Sequence, residues 1–164
     1  MRKFKEACGL IENININTHL QNYKNDYIGA LRCLDKRILL LYVHAYQSYL
    51  WNKVVSHYIL NNFPSKEYER LNYTEEYANI NVPLLSFDVN LGEFETFYMD
   101  ILKEEGVVLE DFILRSLPEV TPVETFRKMF VDVKDFHYNN PFVGFVLGKG
   151  SYATIVLNGL YCLK

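Results

Sequence analysis

The chain has 164 residues, enough for one domain or two small ones, and its 49% hydrophobic and 23% charged residues fit a soluble globular protein with an ample core. Its formal net charge is −3, whereas dedicated nucleic-acid binders are usually basic, so any contact with RNA has to use a local patch or charge from another chain. Thirteen tyrosines and eleven phenylalanines point to a large core with polar seams, or to a surface that stacks on something.

In chain order, residues 1–12 predict a short helix, ended by the Asn-rich stretch NININTHLQN, which favours turns and caps over regular structure. Asp26 is placed to cap a helix over 27–33, and Asp35 to cap the next. The strongest element is a helix over 36–62, stopped by Pro64. A helix this apolar is expected to be buried on most sides. Residues 65–82 are polar and irregular, with one helical turn expected near 66–71. VPLLSFDV (82–89) reads as a short strand, and Pro83 puts it at an edge or a strand start. EFETFYMDILKEE (93–105) is an amphipathic helix with Gly106 as its C-terminal cap, and a short helix is expected over 109–116. FRKMFVDVKDF (126–136) alternates as a strand, HYNNP turns the chain, and FVGFVL (142–147) returns antiparallel. GKG turns again, and SYATIVLNGLYCL (151–163) closes the chain as a helix capped by Ser151.

Within the long helix, His44, Ser48 and Asn52 follow one another at i, i+4, i+8, with Gln47 beside them. This polar seam has two readings: it lines a crevice or touches RNA backbone, or it satisfies hydrogen bonds inside a core. VLGKGSYATIVL (146–157) sets a Gly-flanked Lys149 before a helix start, which is either an anion site or an ordinary tight turn. Lys36 and Arg37 at the start of the long helix either meet phosphate or form a solvated end. No residue stands out as a nucleophile, since neither GxSxG nor a Cys–His context is recognisable. Cys8, Cys33 and Cys162 are far apart and lack CxxC spacing, so neither a disulfide framework nor a zinc site is indicated and a reducing cytoplasm is the expected setting. The N-terminus lacks the apolar core of a signal peptide, and the longest apolar stretch, around 38–46, is too short for a membrane span.

Taken together, three stretches carry a more specific signal. NDYIGALRCLDKRILLLYVHAYQSYLWNKVVSHYI (25–59) resembles the archaeal branch of the tRNA pseudouridine synthase D (TruD) family, whose corresponding helix carries a His-Ala-Tyr-Gln-Ser-Tyr-Leu-Phe/Trp-Asn core. GFVLGKGSYATIVLNGLY (144–161) resembles that family's closing strand, Gly-Ser-Tyr-Ala-Thr turn and helix. Between them, DILKEEGVVLEDF (100–112) and ETFRKMF (124–130), with Arg127, match its middle. The resemblance covers about residues 20–164. It implies breakage of a uridine's N-glycosidic bond, rotation of the base and rejoining through carbon, with an Asp doing the covalent or acid–base work and no cofactor or metal. The implied partner is tRNA, with the target uridine taken out of its stack.

Three motifs of the family precede the segment seen here: Phe-x-Val-x-Glu, the Gly-x-Lys-Asp that carries the catalytic Asp, and Asn-Tyr-Phe-Gly-x-Gln-Arg-Phe-Gly. None occurs in this chain. Asp35 stands where the family usually has Pro, and Asn158 where it usually has Arg. The expectation is therefore an α+β chain in three parts: a helical segment (1–62), a mixed insert-like middle (63–125), and strands and a helix of the catalytic sheet (126–164). It is expected to be the C-terminal part of a tRNA pseudouridine synthase, inactive alone and completed by an N-terminal half. A split gene, a fragment and a degenerate remnant all fit. No catalytic residue is assigned, and His44, Gln47, Ser48, Asn52, Arg127, Lys149, Ser151 and Thr154 are candidates for lining a pocket or touching RNA. The alternatives are a non-catalytic RNA-binding or scaffold remnant, and a purely structural helical interaction protein.

Overall fold

The computed structural model describes residues 3–62, 79–149 and 151–162, and combines helices with two small antiparallel strand pairs, an α+β architecture. The chain forms two compact units, one of residues 1–62 and 83–126, the other of 63–82 and 127–164. The helical turn expected near 66–71 lies outside the described residues. Among those described, no helix is long and apolar enough to cross a membrane.

The first unit opens with three short helices, α1 (Phe4–Leu10), α2 (Ile14–Asn22) and α3 (Tyr27–Arg32). Helix α2 occupies the Asn-rich stretch where turns were expected. Asn13 still caps, accepting the Asn15 N–H at 2.9 Å. The rest of the stretch is helical because Ile16 is fully buried and Leu20 packs on the same face, and that burial outweighs weak local propensity. Asp26 caps α3 as expected, accepting the Gly29 N–H at 2.9 Å. Cys8, Ile16, Ala30, Leu31, Leu34 and Leu39 form one hydrophobic core with Leu117 and Val120.

Helix α4 runs Lys36–Asn62, the span the sequence predicts. Asp35 Oδ1 accepts the Arg37 N–H at 2.8 Å and starts it. Its burial is one-sided, not general. Leu39, Gln47, Leu50, Trp51, Val54 and Val55 face inward, while Ile38, Leu41 and Tyr42 are exposed on the opposite side, Leu41 at 64%. An apolar helix exposed on one face has a surface that invites a further partner.

Helix α5 (Glu95–Glu105) packs along α4, entered through a 3-10 turn at Gly92–Phe94 and closed by Gly106 in the left-handed conformation, φ +64°. Tyr58 of α4 lies 4.9 Å from Phe94 and 5.7 Å from Phe97, ring centre to ring centre. Lys53 reaches Glu104 at 3.1 Å and Glu105 at 2.9 Å, and Tyr49 donates its hydroxyl to Glu105 at 2.9 Å. These bonds from Lys53 and then Tyr49 hold the Glu105 carboxyl below its ordinary 4.5. A lowered folded-state pKa contributes stability that is complete above the unfolded value and lost as pH falls through the folded one. Glu105→Gln is therefore expected to lower the thermal midpoint modestly at pH 7, with the difference from wild type narrowing as pH falls below the ordinary 4.5 and through the lowered folded value. Melting curves of both proteins across pH 3–8 check this.

The helix expected over 109–116 shrinks to one 3-10 turn, Leu109–Phe112. Asp111 turns back to accept the Val108 N–H at 3.2 Å, and the Leu114 N–H goes to the Thr121 hydroxyl at 3.2 Å instead of a helical carbonyl.

Strands β1 (Asn81–Leu84) and β2 (Thr125–Lys128) pair, and the chain passes from one unit to the other within each of them. Strand β1 stops five residues short of the expected end at 89, because Leu85 gives its carbonyl to Gln47 and the Ser86 hydroxyl turns to Asp88 at 3.1 Å. The expected single strand over 126–136 is two. Strand β2 pairs with β1, whereas β3 (Val133–Asn139) pairs antiparallel with β4 (Phe142–Leu147), and different partners require a break between them. Residues 137–139, expected in the turn, extend β3, and the reversal is confined to Asn140 and a cis Pro141. The β3–β4 register runs from Val133↔Leu147 to Asn139↔Phe142, with a bulge between Lys134 and His137 where Asp135 takes φ +51°. Helix α6 (Ala153–Cys162) ends the described chain.

Candidate functional site

The signature stretch of α4 does not act as one polar seam. Successive residues on a helix turn by about 100°, so Gln47, three positions on from His44, lies only about 60° round the helix from it, yet on the side away from Ser48 and Asn52. Gln47 is buried, 4% exposed, and its Nε2 donates to the Leu85 carbonyl at 2.5 Å. His44 and Asn52 are exposed and Ser48 is half-buried. The two readings of the seam therefore apply to different residues. Gln47 is the core hydrogen bond, and His44 and Asn52, with Ser48 at the margin, are the surface. That surface is bordered by the exposed apolar side chains of Leu41 and Tyr42.

Arg37 is not an open cation. It donates to Asp35 through Nε at 3.1 Å and Nη2 at 2.7 Å, a two-pronged pair. The guanidinium, and then the Arg37 backbone N–H, pull the Asp35 carboxyl down to about 2. Asp35, the departure from the family pattern, thus serves twice, as helix cap and as the partner of Arg37. Nothing in the sequence pattern signals that second role.

The remaining candidates belong to the second unit. Arg127 is half-buried in β2. Lys149 is exposed directly after β4. Ser151 is half-buried, and its N–H donates to the Gly148 carbonyl at 3.2 Å, which closes a turn and removes one of the free amides of the supposed anion site. The helix then begins at Ala153, so Tyr152 takes the cap position expected for Ser151. Thr154 is exposed in the first turn of α6. Gly144 faces His137 across the hairpin, and a Cβ at position 144 would come within 2.2 Å of the imidazole, so glycine is required there for the ring to lie flat.

The eight candidates thus fall into two sets, His44, Gln47, Ser48 and Asn52 in the first unit, and Arg127, Lys149, Ser151 and Thr154 in the second. A shallow groove of about 480 Å³ between α5 and the 109–112 turn is mostly apolar, lined by Met99, Leu102, Val107, Val108 and Leu109, with Lys103 and Glu110 as its charged residues. All seven aspartates of the chain are exposed. Two of the five in the first unit are bonded to structural neighbours, Asp88 to Ser86 and Asp111 to Val108, and two more to charged or polarisable side chains, Asp26 to His19 and Asp35 to Arg37.

Comparison with known proteins gives the same answer as the signature stretches. The family model for tRNA pseudouridine synthase D (TruD) matches residues 9–70 and 60–160. A Methanopyrus kandleri protein assigned as tRNA pseudouridine synthase D is 34% identical over 175 residues, covering 96% of this chain and 42% of the relative. A Nanoarchaeum equitans protein with the same assignment is 31% identical over 152 residues, covering 87% and 39%. The crystal structure of a Methanosarcina mazei protein assigned to the same family superposes with a TM-score of 0.67 at 25% identity, covering 88% of this chain and 43% of that one. The chain therefore spans about two fifths of the length of these relatives. The match begins at residue 9, upstream of the signature stretches, so it takes in α2 as well. Sequence, fold and order of elements agree over nearly the whole chain, and the chain belongs to the tRNA pseudouridine synthase D family.

Proposed function

We propose that this chain supplies the C-terminal part of a tRNA pseudouridine synthase, a cytoplasmic enzyme that isomerises uridine to pseudouridine in tRNA, and that an N-terminal half supplies the catalytic Asp. The observation that carries this reading is the family match over residues 9–160 in a chain that holds none of the three upstream motifs. In this assignment residues 63–125 are a reduced form of the family insert, and 126–164 are strands and a helix of the catalytic sheet.

The exposed surfaces support the need for a complement. The β3–β4 hairpin stands as a two-stranded sheet whose β3 residues are exposed throughout, with Phe136 and Tyr138 of β3 at 49% and 64% and Phe142 of β4 at 75%. Two-stranded sheets are marginal in water on their own and are stabilised by further strands or a packed face. Tyr152, just before α6, and Ile155 on it are similarly open. An N-terminal half adding strands to this sheet would cover both. On α4, the polar surface of His44, Ser48 and Asn52 is proposed to brace an N-terminal half or to meet RNA.

Lys149 follows β4 and is proposed to hold a phosphate. Lys149→Ala is expected to weaken tRNA binding by the completed enzyme modestly and to reduce the slope of log K against log salt by about 0.7–0.9, the loss of one phosphate contact. A salt titration of binding by both proteins checks this, and an unchanged slope counts against the contact.

The reading as a non-catalytic RNA-binding remnant draws on one observation, Asn158 at a position where the family usually carries Arg, exposed on α6. The assay that separates the two readings labels pseudouridine chemically in tRNA treated with the chain alone and with the chain plus an N-terminal half. A mixture that binds tRNA without forming product selects the remnant.

A further inference from the structure

Apart from the polar residues already weighed, three side chains that no motif links come together in the first unit. Cys33, at the C-terminal end of α3, is exposed, and its Sγ lies 3.5 Å from Nδ1 of His19 on α2. Nε2 of the same imidazole lies 2.9 Å from Oδ2 of Asp26. The order is thiol, imidazole, carboxylate, with the ring held at both nitrogens.

The chemistry of each group fixes the protons. An ionised carboxylate only accepts hydrogen bonds. The Asp26 carboxyl is held below its ordinary 3.8, first by the His19 bond and then by the Gly29 N–H, so it is ionised at neutral pH. The imidazole therefore presents its N–H at Nε2 and a bare lone pair at Nδ1, facing the thiol. Transfer of the Cys33 proton to Nδ1 yields a thiolate beside an imidazolium whose positive charge Asp26 stabilises. The thiolate is the nucleophilic form of cysteine, and an adjacent imidazolium is one of the settings that favour it. Tyr23 lies against the imidazole at 4.9 Å between ring centres, and the His19 side chain is 19% exposed, so the ring is held while the sulfur stays accessible. The other charged group near Asp26, Arg32, is engaged elsewhere, by Glu119 at 2.9 Å and the Ser116 carbonyl at 3.1 Å.

Gly29 makes this packing possible. A Cβ there would lie 2.1 Å from Asp26 Oδ2 and 2.7 Å from His19 Nε2, so only glycine allows the carboxylate–imidazole pair to rest on α3. Its carbonyl lies 3.4 Å from Cys33 Sγ, a second acceptor that competes with His19 Nδ1 for the one thiol hydrogen. A single metal ion cannot collect the three groups, since Cys33 and Asp26 occupy opposite nitrogens of one ring. Among the described residues no set of three or more His, Cys, Asp or Glu is arranged to hold a metal.

We propose that Cys33, His19 and Asp26 form a reactive-thiol site that is modified by low-molecular-weight disulfides. His19 Nδ1 takes the Cys33 proton and the thiolate attacks one sulfur of R–S–S–R. A Cys33–S–S–R bond forms as the R–S–S–R bond breaks, and the leaving RS⁻ takes the proton from the imidazolium to depart as RSH. The exchange needs no other oxidant. It does not rest on the RNA-modifying role and stands or falls separately from it.

The test incubates the full chain with hydroxyethyl disulfide and follows the mass gain of the Cys33 peptide from pH 5 to 9.5. Cys8 serves as the internal reference, because it is 6% exposed and burial pushes its thiol up. Wild-type Cys33 is expected to react at pH 6–6.5 with a large fraction of its rate at high pH, whereas an ordinary thiol follows a titration near 8.5. His19→Gln is expected to cut the rate at pH 6.5 at least about tenfold and to approach wild type near pH 9.5, where any thiol ionises. Asp26→Asn keeps an oxygen for the Gly29 N–H and is expected to fall between the two. Circular dichroism confirms that each variant is folded. Should His19→Gln not fold, the wild-type pH profile and Asp26→Asn still decide. A Cys33 rate that follows an ordinary thiol titration, or that Asp26→Asn and His19→Gln leave unchanged at pH 6.5, overturns the proposal.

Discussion

The isolated chain is expected to form no pseudouridine in tRNA, and product is expected to appear when a complementary chain carrying the Gly-x-Lys-Asp segment is added. The family chemistry needs a carboxylate aimed into a pocket that holds a flipped base. The seven aspartates here are all exposed, and Asp26, Asp35, Asp88 and Asp111 are already bonded to His19, Arg37, Ser86 and Val108. Acid–base assistance is typically worth factors of about 10²–10⁴, and positioning by the remaining residues does not replace it. The difference between the lone chain and the mixture should therefore be at least of that order in initial rate. Substituting the Asp of the added half should remove the activity of the mixture. Robust product from the lone chain would overturn the reading of a completed enzyme and mean that one of Asp88, Asp100, Asp111, Asp132 and Asp135 is catalytic.

The second large effect is on stability. Tyr98 of α5 is fully buried and donates its hydroxyl to the Pro83 carbonyl, so it ties α5 to β1. Tyr98→Ala removes a whole ring from a closed core, a change that costs about 3–5 kcal/mol in comparable aromatic truncations. Tyr98→Phe keeps the ring and strips only the hydroxyl, leaving the Pro83 carbonyl buried without that donor at a cost of about 1–3 kcal/mol. Small domains are stable by about 5–15 kcal/mol in total, so the first variant is expected to unfold at much lower denaturant and the second to shift visibly less. Urea unfolding followed by circular dichroism ranks wild type, Phe and Ala. Equal midpoints for the two variants would mean that the ring is not packed as described.

Much of the fold is legible in the sequence because its signals are local. Asp26 and Asp35 mark helix starts, Gly106 marks a helix end, and the bounds of α4 follow from Asp35 and Pro64. Each signal depends on atoms within a few residues along the chain. The α+β class follows from the succession of such segments, and the family from three signature stretches that survive in order.

What the tertiary structure decided is where distant partners meet. The long helix is apolar enough to predict burial, yet its burial is one-sided, because α5 and the short helices pack against only one flank. Gln47 turns inward because the carbonyl that needs it, at Leu85, lies 38 residues away. Residues 126–136 alternate as one strand, but the break at 129–132 exists because β1 claims one end and β4 the other. The Asn-rich stretch is a helix because Ile16 and Leu20 find a core formed partly by Leu117 and Val120, about a hundred residues on. His19, Asp26 and Cys33 carry no motif, and the contact of α2 with α3 alone brings an imidazole between a carboxylate and a thiol. Composition and periodicity determine which segments form and which faces seek burial. Which polar atom answers which is settled only when the segments pack, since a hydrogen bond depends on separation in space and not along the chain.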